Sequence, residues 1–280
     1  MTDAVASAWD RAAEGWSRST SIVHAWLQQP TASMLAEARL RPGARILDLA
    51  AGAGDQTHDI ALAVGPTGDV LATDISPRIL DFARARIEAA GLNNVRFAVA
   101  DAEQPVDADE PPFDAVTCRL GLMLCPHPAA VMAAAFKALR PGGRFVALVF
   151  GDPANNPCIT TLMQVARKHR GLTDKVSPYV DGGLFSLAAP GRFASLMSAA
   201  GFVEVAVRSM AAPFDLPDAA AYVDFVRSSG SPIMEVLAPL DAEGREAAWR
   251  EMEEGLRRFE GDGGWRGGNE LLLGVGRRGG

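Results

Sequence analysis

Between Arg45 and Thr57 the chain reads Arg-Ile-Leu-Asp-Leu-Ala-Ala-Gly-Ala-Gly-Asp-Gln-Thr, and few folds accommodate that succession. Its apolar run, Ile46, Leu47 and Leu49, suits a buried parallel strand and breaks directly into Gly52 and Gly54. An apolar pattern resumes at Thr57, Ile60, Ala61 and Val64, the spacing of one helix face. Strand, glycine turn and helix form the opening unit of a doubly wound nucleotide-binding domain. Small residues let the backbone approach the ligand, and the helix N-terminus offers free amides to an anionic group. A pair of glycines alone is a weak signal, so the rest of the chain decides its meaning.

Two further strands are expected at Asp69–Asp74 and Val95–Asp101, each ending in an acid, with a helix carrying Leu80, Ala83 and Ile87 between them. A fourth strand, Phe113–Cys118, leads into the loop Arg119–Pro128. A helix with Met132, Ala135 and Phe136 follows, then a turn at Arg140–Gly143 and a fifth strand, Arg144–Phe150. Such alternation predicts a parallel sheet with right-handed crossovers, its ligand beyond the carboxyl ends of the strands where their order reverses. Asp48, Asp74, Asp101 and Arg119 all fall at or near those ends.

The organisation expected is a core with additions. Residues 1–40 read as a helical arm or lid, with a stripe including Trp9, Ala12 and Trp16, and a second helix after Pro30. Residues 41–150 are the cofactor-binding core, and 190–210 with 268–277 complete it. Residues 151–189 read as a cap insertion and 211–267 as a helical insertion, while Gly276–Gly280 are expected to fray.

Composition narrows the partners. At 280 residues the chain can bury a substantial core, and Lys plus Arg of 27 against Asp plus Glu of 34 gives −7 with no basic run. That argues against nucleic acid or an anionic membrane surface as the main partner. No stretch approaches the roughly 20 apolar residues of a membrane span. Asp3, Asp10, Arg11 and Glu14 leave no apolar leader, so no export signal is expected. Three cysteines, Cys118, Cys125 and Cys158, stand at no metal-like spacing, so no metal is expected and a reducing cytoplasm is. Monomer and homodimer stay equally open.

The glycine turn departs from the dinucleotide fingerprint. Thr57 stands where a third glycine would, and Asp55 lies inside the turn, where a carboxylate would repel a pyrophosphate. With Asp48 close by, these acids suit a ligand with a positive charge, a sulfonium bearing an α-ammonium group. Asp74 is placed to accept both ribose hydroxyls, Ile75 to face adenine, and Asp101 with the Ala102 amide to read the adenine edge.

ILDLAAGAGD, LATDIS, VADAE, FDAVTCRLGLM and LRPGGRF, in that order, resemble the class I S-adenosylmethionine-dependent methyltransferases. The branch most similar is that of ubiquinone/menaquinone-biosynthesis enzymes and their small-molecule relatives. The resemblance covers about residues 8–150. It implies a seven-stranded Rossmann-like α/β sheet in the order 3-2-1-4-5-7-6 with the last strand antiparallel, and S-adenosylmethionine as cofactor. Carried over by position, Asp48, Ala50, Gly52 and Gly54 hold the methionyl part, Asp74 the ribose, and Ile75, Asp101 and Ala102 the adenine. Arg119 offers its carbonyl to the amino group, and Trp16 replaces a tyrosine that many relatives carry.

Methyl transfer from a sulfonium is an in-line displacement with an activated leaving group, so alignment and exclusion of water can supply most of the catalysis. A base is needed only for a protonated nucleophile such as a phenol. The candidates are His24 in the arm, His127 between Pro126 and Pro128, and Tyr179. Trp26, Met123, Phe150 and Phe185 are candidates to line an apolar pocket for a small-molecule methyl acceptor, against a reading as ordinary core. Two other functions stay open: a protein that binds the cofactor without transferring methyl, and an NAD(P)-dependent oxidoreductase, which the turn's chemistry opposes.

Overall fold

The computed structural model describes residues 2–229 and 232–280. Its strands are β1 (Arg45–Leu49), β2 (Asp69–Asp74), β3 (Val95–Val99), β4 (Phe113–Arg119), β5 (Leu139–Phe150), β6 (Phe202–Ala211), β7 (Phe214–Leu216), β8 (Glu260–Gly261), β9 (Gly264–Gly267) and β10 (Glu270–Arg278). Before β1 come α1 (Thr2–Arg18) and α2 (Thr20–Ala38). Between strands lie α3 (Asp55–Val64), α4 (Pro77–Ala89), α5 (Pro128–Ala138), α6 (Pro157–His169), α7 (Arg192–Ala199), α8 (Ala219–Ser228), α9 (Pro232–Leu237) and α10 (Ala242–Leu256).

Seven strands make one sheet in the order β3-β2-β1-β4-β5-β10-β6, with β10 antiparallel to both neighbours. This is the order the sequence implied. β1 pairs in parallel with β2 on one side and β4 on the other, so strand order reverses between β1 and β4. The central strands are buried, as continuous apolar runs require when helices cover both faces. No helix among the described residues is long and apolar enough to cross a membrane.

Several elements differ from expectation. The break in the N-terminal arm falls at Ser19 and not at Pro30, which lies inside α2. Leu27, Pro30, Thr31, Met34 and Ala38 are buried in one continuous run, and that burial offsets the roughly 3 kcal/mol that an interior proline costs. The turn at Arg140–Gly143 is drawn into β5, where the pairing with β4 shifts register between Phe113 and Ala115. The segment 211–267 is not wholly helical: β7, β9 and β8 form a second, three-stranded sheet. Residues 276–278 do not fray, because Arg278 donates to the Phe136 and Lys137 carbonyls at 3.1 Å each, at the end of α5.

Candidate functional site

A cavity of about 380 Å³ opens at the carboxyl ends of β1, β2 and β4, beside the point where strand order reverses. Helices α1 and α2 roof it with Trp9, Trp16, Thr20, Val23 and Leu27, spaced as one helical stripe. The roof is fastened to its neighbours. Asp10 accepts from the Ser76 hydroxyl at the start of α4, and the Trp16 ring meets Phe225 of α8 edge-on at 6.3 Å.

The backbone turns sharply where the two strands leave the sheet. Ala50 and Leu120 hold φ of 52° and 59°, left-handed values that cost a non-glycine residue about 1–2 kcal/mol. Gly121 separates them, and a Cβ there would lie 2.4 Å from that of Ala50. Gly52, also left-handed, has nothing within 4 Å of a Cβ and donates its amide to Asp74 Oδ2 at 3.0 Å.

Of the ten expected cofactor residues, Trp16, Ala50, Gly52, Asp74, Ile75, Asp101, Ala102 and Arg119 line the cavity. Asp74 accepts from the Gly52 and Ser76 amides, while burial raises its pKa. Asp48 and Gly54 are corrections. Asp48 has no exposed surface and sits in register with Thr117 on β4. Its carboxylate accepts from Thr57 Oγ1 at 2.7 Å, Thr117 Oγ1 at 2.9 Å and Gln56 Nε2. It braces the glycine turn from below and does not line the cavity. Gly54 lets α3 approach α4, since a Cβ would come within 2.9 Å of Ala83.

The electrostatic expectation also changes. Asp55 lines the cavity, but its Oδ2 pairs with Arg119 at 2.8 Å and its Oδ1 with His24 Nδ1 at 3.0 Å. Arg119 also donates to Thr31 Oγ1 at 2.8 Å. The turn therefore presents an ion pair, a cation beside an anion, which complements a zwitterion better than a bare cation.

The expected catalytic and substrate residues lie elsewhere. His24 reaches Asp55 from outside, half exposed, and His127 pairs with Glu103 at 2.9 Å on the surface. Tyr179 stands 3.5 Å from Asp152 in the loop after α6. None of the three lines the cavity. Trp26 stacks on Phe214 at 4.0 Å and donates to the Ala212 carbonyl at 2.7 Å; Phe150 packs at its side, and Phe185 meets Phe150 edge-on. Met123 is buried, with its carbonyl accepting from Ser186. These four build the core that carries the site.

Residues that sequence reasoning missed include Thr20, Val23, Leu27, Gln56 and Glu103. The first three continue the Trp9–Trp16 stripe into α2, a periodicity obscured by the break expected at Pro30. Two polar atoms tied to this lining are buried with no partner among the described residues: the Trp16 Nε1 donor and the Gln56 Oε1 acceptor. Buried polar atoms of this kind ask for a ligand. An α-ammonium group would satisfy the acceptor, and the Asp74–Asp101 wall suits a nucleoside, so the residues present fit S-adenosylmethionine.

Residues 40–175 match the family described as "Methyltransferase domain". The chain is similar to the ubiquinone/menaquinone biosynthesis C-methyltransferase of Ectopseudomonas mendocina, 41% identical over 117 residues, 41% of this chain and 45% of that protein. It thus spans about half the length of the curated relatives it matches. A crystal structure from Bacillus halodurans, described as that of a "putative methyltransferase", superposes with a TM-score of 0.61 at 22% identity, over 89% of this chain and 99% of that one. Phosphoethanolamine N-methyltransferase 2 of Haemonchus contortus, solved with S-adenosylhomocysteine, superposes at 0.56 and 14% identity, over 94% of this chain and 58% of that one.

Proposed function

We propose that this chain, which carries a class I S-adenosylmethionine-dependent methyltransferase domain, moves the cofactor's methyl group to a small apolar acceptor held under α1 and α2. The observation that carries the reading is a single wall on which Gly52, Asp74, Ile75, Asp101 and Ala102 stand together. An acid at the end of β2, an aliphatic side chain beside it and an acid after β3 offer the acceptors and the apolar face that adenosine requires. Asp74 gives two lone pairs to the Gly52 and Ser76 amides and keeps the others for the ribose hydroxyls. Gln56 Oε1 accepts from the ammonium group, and the Arg119–Asp55 pair complements the zwitterionic end.

When bound, the cofactor supplies a methyl group whose leaving atom needs no protonation. The chain's contribution is then to align the acceptor and exclude water. Trp9, Val23, Leu27, Leu120 and Leu124 make the remaining wall apolar, which favours an aromatic or aliphatic acceptor. Asp55 is tied to Arg119 and His24, and Asp74 to two amides. The other two carboxylates of the lining are engaged as well, Asp101 accepting from the Glu103 amide and Glu103 from His127, so each already has a partner, which favours an acceptor whose proton leaves after the bond forms, as at an electron-rich ring carbon. The name of the Ectopseudomonas relative, a C-methyltransferase, agrees with that choice.

Calorimetric titration with S-adenosylhomocysteine and, separately, NADH tests the cofactor assignment. Binding of NADH alone would overturn it. Release of S-adenosylhomocysteine, followed by mass spectrometry across electron-rich aromatic acceptors, tests the transfer. Tight cofactor binding without release on any acceptor would instead mark a protein that holds the cofactor for another purpose.

A further inference from the structure

We propose a second binding site, at the opposite edge of the main sheet from the cavity above, for a small multivalent oxyanion. A cavity of about 200 Å³ there is lined by Arg39, Arg41, Arg140, Arg144 and Arg277, with Asp114 as its one carboxylate. The topology gathers these residues from distant places. Helix α2 ends at Ala38, β4 and β5 begin near Asp114 and Arg140, and antiparallel β10 finishes where its neighbours start. Arg277 therefore sits directly across from Arg144 in the β10–β5 ladder. Like charges in that position destabilise a sheet unless something offsets them.

The surrounding acids offset them only in part. Asp114 is shared by Arg41 at 2.9 Å and Arg140 at 2.8 Å. Glu37 is shared by Arg208 at 2.6 Å and Arg144 at 3.9 Å, and Glu204 pairs with Arg277 at 2.7 Å. Five lining arginines thus face three acids, one of them also engaged by Arg208, on a chain whose overall charge is −7. The carboxyl end of α2 adds about half a negative charge, too little to reverse the local sign.

Two guanidinium groups are underused. Arg39, exposed on a left-handed residue after α2, makes no side-chain hydrogen bond or ion pair with any described residue. The Arg144 side chain is 12% exposed, and its one hydrogen bond to a described residue goes to the Glu37 carbonyl at 3.3 Å. A guanidinium has five N–H donors in a planar fork that matches phosphoryl oxygens; on the mostly buried Arg144 leaving them unfilled is costly, while the exposed Arg39 keeps its donors in water, available to an incoming anion. The cavity has room for a phosphate or pyrophosphate group, free or as the end of an ester.

The test is calorimetric titration of the intact protein at constant ionic strength with inorganic pyrophosphate, orthophosphate and adenosine 5′-monophosphate, with and without saturating S-adenosylhomocysteine. One site is expected, indifferent to S-adenosylhomocysteine. Its affinity should fall about ten- to hundredfold in Arg39→Gly and in Arg277→Gln, the range for one hydrogen bond to a charged group. Glycine suits the φ of 52° at position 39, and an unchanged melting temperature without ligand verifies that this variant folds. Tightest binding of pyrophosphate assigns a free polyphosphate, and the nucleotide binding tighter than orthophosphate assigns a phosphate ester. Equal affinity in both variants, heats reproduced by sodium chloride, or displacement by S-adenosylhomocysteine would each overturn the proposal.

Discussion

Asp48 lies under the glycine turn with no exposed surface, and burial pushes its pKa from 3.8 up to about 6. Bonds from Thr57, Thr117 and Gln56 and the charge of Arg119 oppose that rise without cancelling it. The folded value lies above the unfolded one, which sets the sign. Below 3.8 the carboxyl is protonated in both states and costs nothing. Between 3.8 and about 6 the unfolded chain gives up its proton while the folded chain keeps it, so stability falls as pH rises. Above about 6 the whole penalty is in place. A difference of roughly two pH units, at about 1.4 kcal/mol per unit, amounts to about 3 kcal/mol. Asp48→Asn cannot titrate, and its carbonyl oxygen still accepts one of the three bonds. Urea unfolding of both proteins from about pH 4 to about pH 8 should show wild type losing about 3 kcal/mol relative to the variant, mostly below about pH 6.5. A difference between the two that stays constant across that range would refute a raised pKa at this position.

The two motif glycines should separate in the same assay. Gly54→Ala combines left-handed strain with overpacking against Ala83 and should cost about 2–5 kcal/mol, whereas Gly52→Ala should cost only about 1–2. Equal losses would contradict the packing role of Gly54. Asp74→Ala is expected to weaken S-adenosylhomocysteine binding by about 1.5–3 kcal/mol in calorimetry, the range for hydrogen bonds to a charged group. Undiminished affinity would remove the ribose contact. His24→Ala should leave turnover nearly unchanged and stability within about 1 kcal/mol, since its bond to Asp55 is made from a half-exposed ring. A large fall in kcat would restore His24 as a catalytic residue. Trp26→Ala should cost about 3–5 kcal/mol in unfolding, with the affinity of the folded protein for S-adenosylhomocysteine intact. A loss of affinity without a loss of stability would return Trp26 to the site.

Much of the site was legible because strand periodicity is local. The apolar runs ending at Leu49 and Asp74, and the acid just beyond Val99, placed Ala50, Gly52, Asp74 and Asp101 at one sheet edge before any coordinate was known. The carboxylates beside the glycines were harder to read. Asp48 and Asp55 look alike as acids near a turn, yet one is locked beneath it by Thr117, 69 residues away, and the other is neutralised by Arg119, 64 residues away. Aromatic residues were ambiguous for the same reason. Trp16 and Trp26 lie ten positions apart in neighbouring helices; one roofs the cavity and the other is stacked into the core on Phe214.

Hydrophobic spacing and motif order were therefore enough to determine the strand succession and the glycine turn at the sheet's edge, because these depend on residues close together in the chain. Only tertiary structure decided which side chains line the cavity and which brace the turn. It also decided that five arginines from three separate stretches, the α2–β1 connection, β5 and β10, would converge at the far edge of the sheet. Burial and ion pairing are set by partners brought from far along the chain, and the folded register chooses those partners.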